Sequence, residues 1–142
     1  MPKVEVVLVP KSHASGYLRK AEQFCLAATE AIGSERFDAA LLCAVHAGIN
    51  SADAVCIALD GRRSKGPDHL RAGDLLEEIA KDSPPIRENV AQLRALIRQK
   101  NRVEYEDKPA SRSDATDAVR RCERLVEWAR SEVARTGITT ST

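Results

Sequence analysis

The chain has 142 residues, 43% of them apolar and 30% charged, with 22 basic side chains set against 21 acidic ones. That is one domain's worth of chain, apolar enough to bury a core and far from the composition of a disordered segment. The net charge of +1 excludes a uniformly basic nucleic-acid-binding domain but leaves room for a local basic face. Aromatic residues make up only 4%: Tyr17, Phe24, Phe37, Tyr105 and Trp128. All-β sandwiches and barrels lean on aromatic and β-branched residues, whereas Ala, Leu, Arg and Glu dominate here, so the expected class is all-α.

Lys3–Val9 is β-rich and ends at Pro10, so residues 1–12 are expected to form an extended arm. A lone strand cannot satisfy its own hydrogen bonds, and such an arm must pair with another chain's copy or lie along the bundle. From about Ser15 the period becomes helical, with Leu18, Ala21, Cys25, Ala28 and Ile32 on one stripe and Gly33 as the expected stop. Ser34 is the expected cap of a second helix that runs to about Leu59 and ends at Asp60-Gly61. Ala39, Ala40, Ala44, Ala47, Gly48, Ser51, Ala52 and Ala54 make that helix rich in small residues. Neighbouring helices can approach it closely, which marks it as the centre of the bundle.

Residues 61–67 read as a basic, flexible connection. Asp68 is the expected cap of a short third helix with Leu70, Leu75, Leu76 and Ile79 as its apolar set, closed by Ser83-Pro84-Pro85. Pro85 suits the first turn of a fourth helix, which carries Ile86, Val90, Leu93 and Ile97 and extends to about Tyr105. Ser111 and Asp114 have capping-box spacing and launch a last helix through Val119, Cys122, Leu125, Val126 and Trp128. The expected architecture is an antiparallel bundle of about five helices over 13–136, followed by a frayed tail over 137–142. Cys25, Cys43, Cys56 and Cys122 include no CxxC pair and sit in helical patterns, so they read as reduced core residues rather than metal ligands. No apolar run approaches the roughly 20 residues of a membrane helix, and Val4–Val9, broken by Glu5, is too short for a signal-peptide core. A soluble cytoplasmic protein with no membrane partner is expected.

Two polar constellations stand out. His46, Asn50 and Asp53 fall at i, i+4 and i+7 on the most apolar helix. They read either as a satisfied internal network or as the supporting wall of a site, orienting a residue on a neighbouring helix. On the fourth helix, Arg94, Arg98, Arg102 and Tyr105 share one face, bordered by Asn101. Three guanidiniums side by side repel one another, and each presents a planar fork of donors suited to a phosphate. The alternative is a solvated face whose charges are offset by Glu88, Glu104 and Glu106.

The run Leu96-Ile97-Arg98-Gln99-Lys100-Asn101-Arg102-Val103-Glu104-Tyr105 resembles the fourth-helix signature of HEPN domains, small helical bundles of prokaryotes and higher eukaryotes. Residues 44–54 and 118–128 resemble the family's small-residue second helix and its closing helix, so the likeness covers roughly 15 to 135. The resemblance implies a component of a toxin–antitoxin or phage-defence system that binds RNA. It further implies metal-independent endoribonuclease chemistry, without a cofactor, in members that carry an Arg, four to six intervening residues and then a His. There the His moves a proton as the RNA 2′-hydroxyl attacks the adjacent phosphate, and the Arg stabilises the developing charge.

Arg98 matches the Arg, but Glu104 occupies the His position. An unperturbed Glu ionises near pKa ~4.3 against ~6.5 for His, which makes it a poorer proton shuttle at neutral pH, and a carboxylate repels the phosphate. The pair Arg98 and Glu104 would carry any catalysis, with Arg94, Asn101, Arg102 and Tyr105 holding RNA phosphate. His46 is a conceivable substitute base if the second and fourth helices face each other there. The departure favours a degenerate member that does not cleave. The resemblance also implies a homodimer with both Arg-bearing helices lining one cleft, and a cognate antitoxin or nucleotidyltransferase partner. That partner modifies a Tyr two positions past the His, whereas Tyr105 directly follows Glu104. The competing expectation is a non-catalytic dimeric protein-interaction module, in which the arginine face is an internal network. Nucleotide or small-ligand binding between helices ranks below both, since no Gly-rich phosphate loop supports it.

Overall fold

The computed structural model of the chain describes residues 4–66, 70–80 and 83–138. Five helices account for most of it: α1 (Ala14–Gly33), α2 (Phe37–Asp60), α3 (Leu70–Ala80), α4 (Pro84–Tyr105) and α5 (Arg112–Arg135). This is the expected all-α bundle. The expected cap Asp68, the side chain of Leu70, Lys3 and the tail from 139 onward lie outside the described residues.

The bundle is built around α2, which packs against each of the other four helices. Its small residues make this physically possible. A Cβ placed on Gly48 would lie 2.8 Å from Leu96 Cδ1 and 3.2 Å from Leu125 Cδ1, so α4 and α5 close on the glycine as near as their leucines allow. By length and composition α2 is also apolar enough to cross a membrane, contrary to the expectation that no segment is, but 78% of its apolar window is buried inside the bundle. The predicted apolar faces of the other helices turn inward. Leu18, Ala21 and Ala28, Leu75 and Leu76, Ile86, Val90, Leu93 and Ile97, and Val119, Cys122, Leu125 and Val126 are all buried.

The ends of the helices depart from the sequence expectation at one junction. Gly33 does not stop α1 by a left-handed turn, and Ser34 does not cap α2. Ser34 is the C-terminal cap residue of α1, and Glu35 takes the left-handed conformation at φ 58°. The amide of Arg36 donates to Ala31 O (2.9 Å) and that of Glu35 to Ile32 O (3.0 Å), which together form a Schellman motif. Two other ends follow the sequence. Gly61 closes α2 at φ 67°, a conformation that costs glycine nothing. Ser111 and Asp114 form the full capping box of α5.

The N-terminal arm has a partner within its own chain. Val6–Leu8 (β1) pairs antiparallel with Arg62–Ser64 (β2), so three residues of the segment that reads as a flexible basic connection instead form a strand. Further bonds from Val9 N to Gly61 O and from Lys65 N to Glu5 O, both 2.9 Å, extend the ladder. A 3-10 turn over Lys11–His13 then leads into α1.

Candidate nucleic-acid face on the fourth helix

Helix α4 buries Ile86, Val90, Leu93, Leu96 and Ile97, and this stripe determines where its arginines point. Of the three, Arg94 and Arg102 are held by acidic residues of neighbouring helices. Arg94 donates to Asp74 Oδ1 (2.6 Å) and Glu77 Oε1 (2.8 Å) of α3. These two carboxylates, Glu77 first, raise the Arg94 pKa above the ordinary guanidinium value, against the opposing effect of burial. Gly73 makes the approach possible, because a Cβ there would stand 3.3 Å from Arg94 Nε. Arg102 donates to Asp114 Oδ2 (2.6 Å), the carboxylate that also accepts from Ser111 N (3.0 Å) in the α5 capping box. The Ser111 amide, ahead of Arg102, holds the Asp114 carboxyl below its ordinary range.

Arg98 differs from both. It is exposed, and among the described residues its guanidinium makes no ion pair or side-chain hydrogen bond. Asn101 is exposed beside it, and Tyr105 at the helix end is 79% exposed. Glu104 accepts from Lys100 Nζ at 3.1 Å, one turn back on the same helix. The charges that offset the arginine face are therefore Asp74, Glu77 and Asp114, not the expected Glu88, Glu104 and Glu106. Long-range partners of this kind leave no mark in local spacing. The one legible signal is the capping-box position of Asp114.

The His46–Asn50–Asp53 stripe lies on a single face of α2, yet its side chains do not join into one network. Asn50 Nδ2 donates to the His46 carbonyl (2.8 Å), a bond within the helix. The His46 ring is exposed and stands 5.4 Å from the Phe24 ring of α1. Gly48, which faces α4, is about 200° round the helix from His46 at 3.6 residues per turn, so His46 looks away from the arginine helix. Asp53 is 7% exposed, and its Oδ1 has no hydrogen-bond partner among the described residues. Burial pushes its carboxyl up to about 7, with the Arg63 guanidinium of β2 pulling the other way.

A surface cavity of about 670 Å³ between α4 and α5 is lined by Asn89, Gln92, Arg124 and Trp128 among others. Gln92 and Arg94 are two residues apart, hence on roughly opposite sides of α4, so this cavity and the arginine face are separate. Among the described residues no group of three His, Cys, Asp or Glu side chains is placed to hold a metal ion.

A central small-residue helix, four helices wrapped on it and an arginine-bearing fourth helix whose Arg98 is unpaired among the described residues define a compact helical bundle with a cationic helix face. The chain belongs to the HEPN domain family, whose model matches residues 14–132. That family is associated with RNase toxins and defence systems, and its domains commonly dimerise and act on RNA. Neither the curated proteins nor the solved structures compared with the chain give a match.

Proposed function

We propose that this HEPN protein is a cytoplasmic component of a toxin–antitoxin or phage-defence system that binds RNA as a homodimer and does not cleave it. The observation that carries the reading is the division of labour on α4. Arg94 and Arg102 are committed to carboxylates of α3 and α5, while Arg98, at the position of the family's motif Arg, is exposed and, among the described residues, unpaired. Phosphate is the natural partner of a free, planar, permanently charged fork of donors. Tyr105, exposed four residues beyond Asn101, offers a ring on which an unstacked base can lie. Two copies of such a face across a dimer cleft would double the local charge within a chain of nearly zero net charge.

The absence of turnover in this reading rests on Glu104. A carboxylate bridged to Lys100 stands where the family's proton-transferring imidazole belongs, and His46 faces away on another helix. Cleavage and binding of single-stranded RNA by wild type, Arg98→Ala and Glu104→His test the proposal together. Wild type should bind without cleaving, with an affinity that falls steeply as salt rises. Arg98→Ala should keep its fold, lose about tenfold in affinity, and reduce the salt slope by about one per site. Absence of RNA binding even at low salt would sink the reading. Cleavage by the wild type that disappears in Arg98→Ala would replace it with an active ribonuclease.

A second reading has its own support. Because Arg94 and Arg102 act as struts between helices, the arginine face is in part a packing network, which suits a non-catalytic dimeric module that engages a cognate antitoxin or nucleotidyltransferase. An Arg98→Ala protein that no longer dimerises, with no RNA phenotype, would favour this module.

A further inference from the structure

Four cysteines without a CxxC pair read as inert core residues, but the fold brings two of them into contact. Cys25 of α1 and Cys122 of α5, 97 positions apart in the chain, have their sulfurs 3.4 Å from each other, with the Cys122 thiol donating to Cys25. The pair is asymmetric. Cys25 is partly exposed at the α1–α5 seam, whereas Cys122 is buried. Of the two residues only Cys25 has exposed surface through which a small oxidant can approach, and the Cys122 sulfur lies within contact distance of its own. We propose that Cys25 and Cys122 are a peroxide-oxidisable thiol pair, with Cys25 the attacking sulfur and Cys122 the resolving one, and that the product is a disulfide tying α1 to α5.

The chemistry balances with hydrogen peroxide as the oxidant. The Cys25 thiolate attacks one peroxide oxygen and the O–O bond breaks, leaving Cys25 as a sulfenic acid; the departing hydroxide takes the proton that Cys25 released and leaves as water. The Cys122 sulfur then attacks the sulfenic sulfur. The S–O bond breaks, and the leaving hydroxide carries off the Cys122 proton as a second water. Two thiols are oxidised and one peroxide is reduced. The surroundings favour this direction of attack. The hydrogen bond from Cys122 holds the Cys25 thiol below its ordinary range, aided by Arg130 and opposed by burial and Glu123. Cys122 is pushed up by that same bond and by burial, so it stays protonated and follows rather than leads. Arg130 is itself bonded to Glu22 of α1 (2.7 Å), which moderates its pull on Cys25. Cys43 of α2 acts electrostatically on Cys122 and is the rival for the same sulfur. Cys56 is buried and its thiol is pushed up by its apolar surroundings, so it takes no part.

The test uses the full chain, reduced, exposed to stoichiometric hydrogen peroxide and quenched with an alkylating agent. Oxidised protein should be about 2 Da lighter before alkylation. Non-reducing digestion should give a Cys25–Cys122 linked peptide, and two of the four cysteines should remain alkylatable after denaturation. Cross-linking across so long a loop should also raise Tm. Cys122→Ser should stall the reaction at a Cys25 sulfenic acid that a 1,3-diketone traps, and Cys25→Ser should leave its three remaining thiols free. Linkage of Cys43 with either partner, or four thiols that survive peroxide together, would overturn the assignment. Equal diketone labelling of all the cysteines in Cys122→Ser would do the same. If that variant does not fold, the linked-peptide map of the wild type decides by itself.

Discussion

Asp53 offers the most exacting test of the packing around α2. Its carboxyl is buried in the middle of that helix with one oxygen unpartnered, and its pKa stands at about 7 against an ordinary 3.8. In the unfolded chain the group ionises as pH rises through about 4, whereas in the folded protein it keeps its proton to about 7. The folded state therefore binds the extra proton, and stability falls as pH climbs through that window, then levels off above it. At about 1.4 kcal/mol per unit, the span from 3.8 to about 7 corresponds to about 4 kcal/mol at pH 8. Asp53→Asn keeps the shape and removes the charge. The new amide N–H₂, set beside the Arg63 guanidinium, lacks an acceptor and costs about 1–2 kcal/mol, leaving a net gain of about 2–3 kcal/mol at pH 8. Below pH 4 the protonated carboxyl has one O–H to satisfy where the amide has two N–H, so the variant should be slightly less stable than the wild type. Urea unfolding across pH 4 to 8 measures the difference directly. An advantage of the same size at both ends of that range, or a variant less stable at pH 8, would refute the buried-carboxylate account.

Two further outcomes follow from the helix ends. Glu35→Gly relieves a side chain held at φ 58° in the Schellman turn and should stabilise the protein by about 1 kcal/mol, read as a higher urea midpoint at unchanged m. Its ion pair with Arg112 is too exposed to offset that gain. Asp114→Ala removes the carboxylate shared by the α5 capping box and Arg102, and should cost about 1 kcal/mol in the same assay. Because the Asp114 carboxyl is held below its ordinary range, its contribution is present above the unfolded pKa and lost as pH falls through the depressed value, opposite in sign to Asp53. In Asp114→Ala the acid limb of the stability profile should be flatter than in the wild type.

Local signals along the chain make the bundle legible in the sequence. The small-residue stripe of α2 predicts a central helix because helix approach is limited by side-chain bulk, and Gly48 lies where two leucines converge. Ser111 and Asp114 announce α5 by a motif confined to four residues. What stays illegible depends on contacts across the chain. Nothing near Val6–Leu8 points to Arg62–Ser64, since a strand pattern names no partner and the basic strand Arg62–Ser64 lacks β-branched residues. Glu35 takes the left-handed position at the α1 turn, which most often falls to glycine, and the glycine two residues away hides it. The contact between Cys25 and Cys122 is hidden in the same way: apolar periodicity places both inward but says nothing of which helices meet.

The arginine helix shows why a charge pattern read along one element overstates its freedom. Three guanidiniums at helical spacing look equivalent in sequence. Their fates diverge only when α3 arrives with Asp74 and Glu77 and α5 with Asp114, which convert Arg94 and Arg102 into links between helices. A bound arginine must give up a charge-assisted bond before it can meet a phosphate, and that exchange removes much of the gain. Among the described residues Arg98 has no such bond to surrender. Its choice as the proposed RNA contact thus rests on where carboxylates are placed on the neighbouring helices, independently of its match to the family's motif position. Equal contributions of the three arginines to RNA affinity, with Arg94→Ala and Arg102→Ala as damaging as Arg98→Ala, would mean that carboxylate competition does not govern this face.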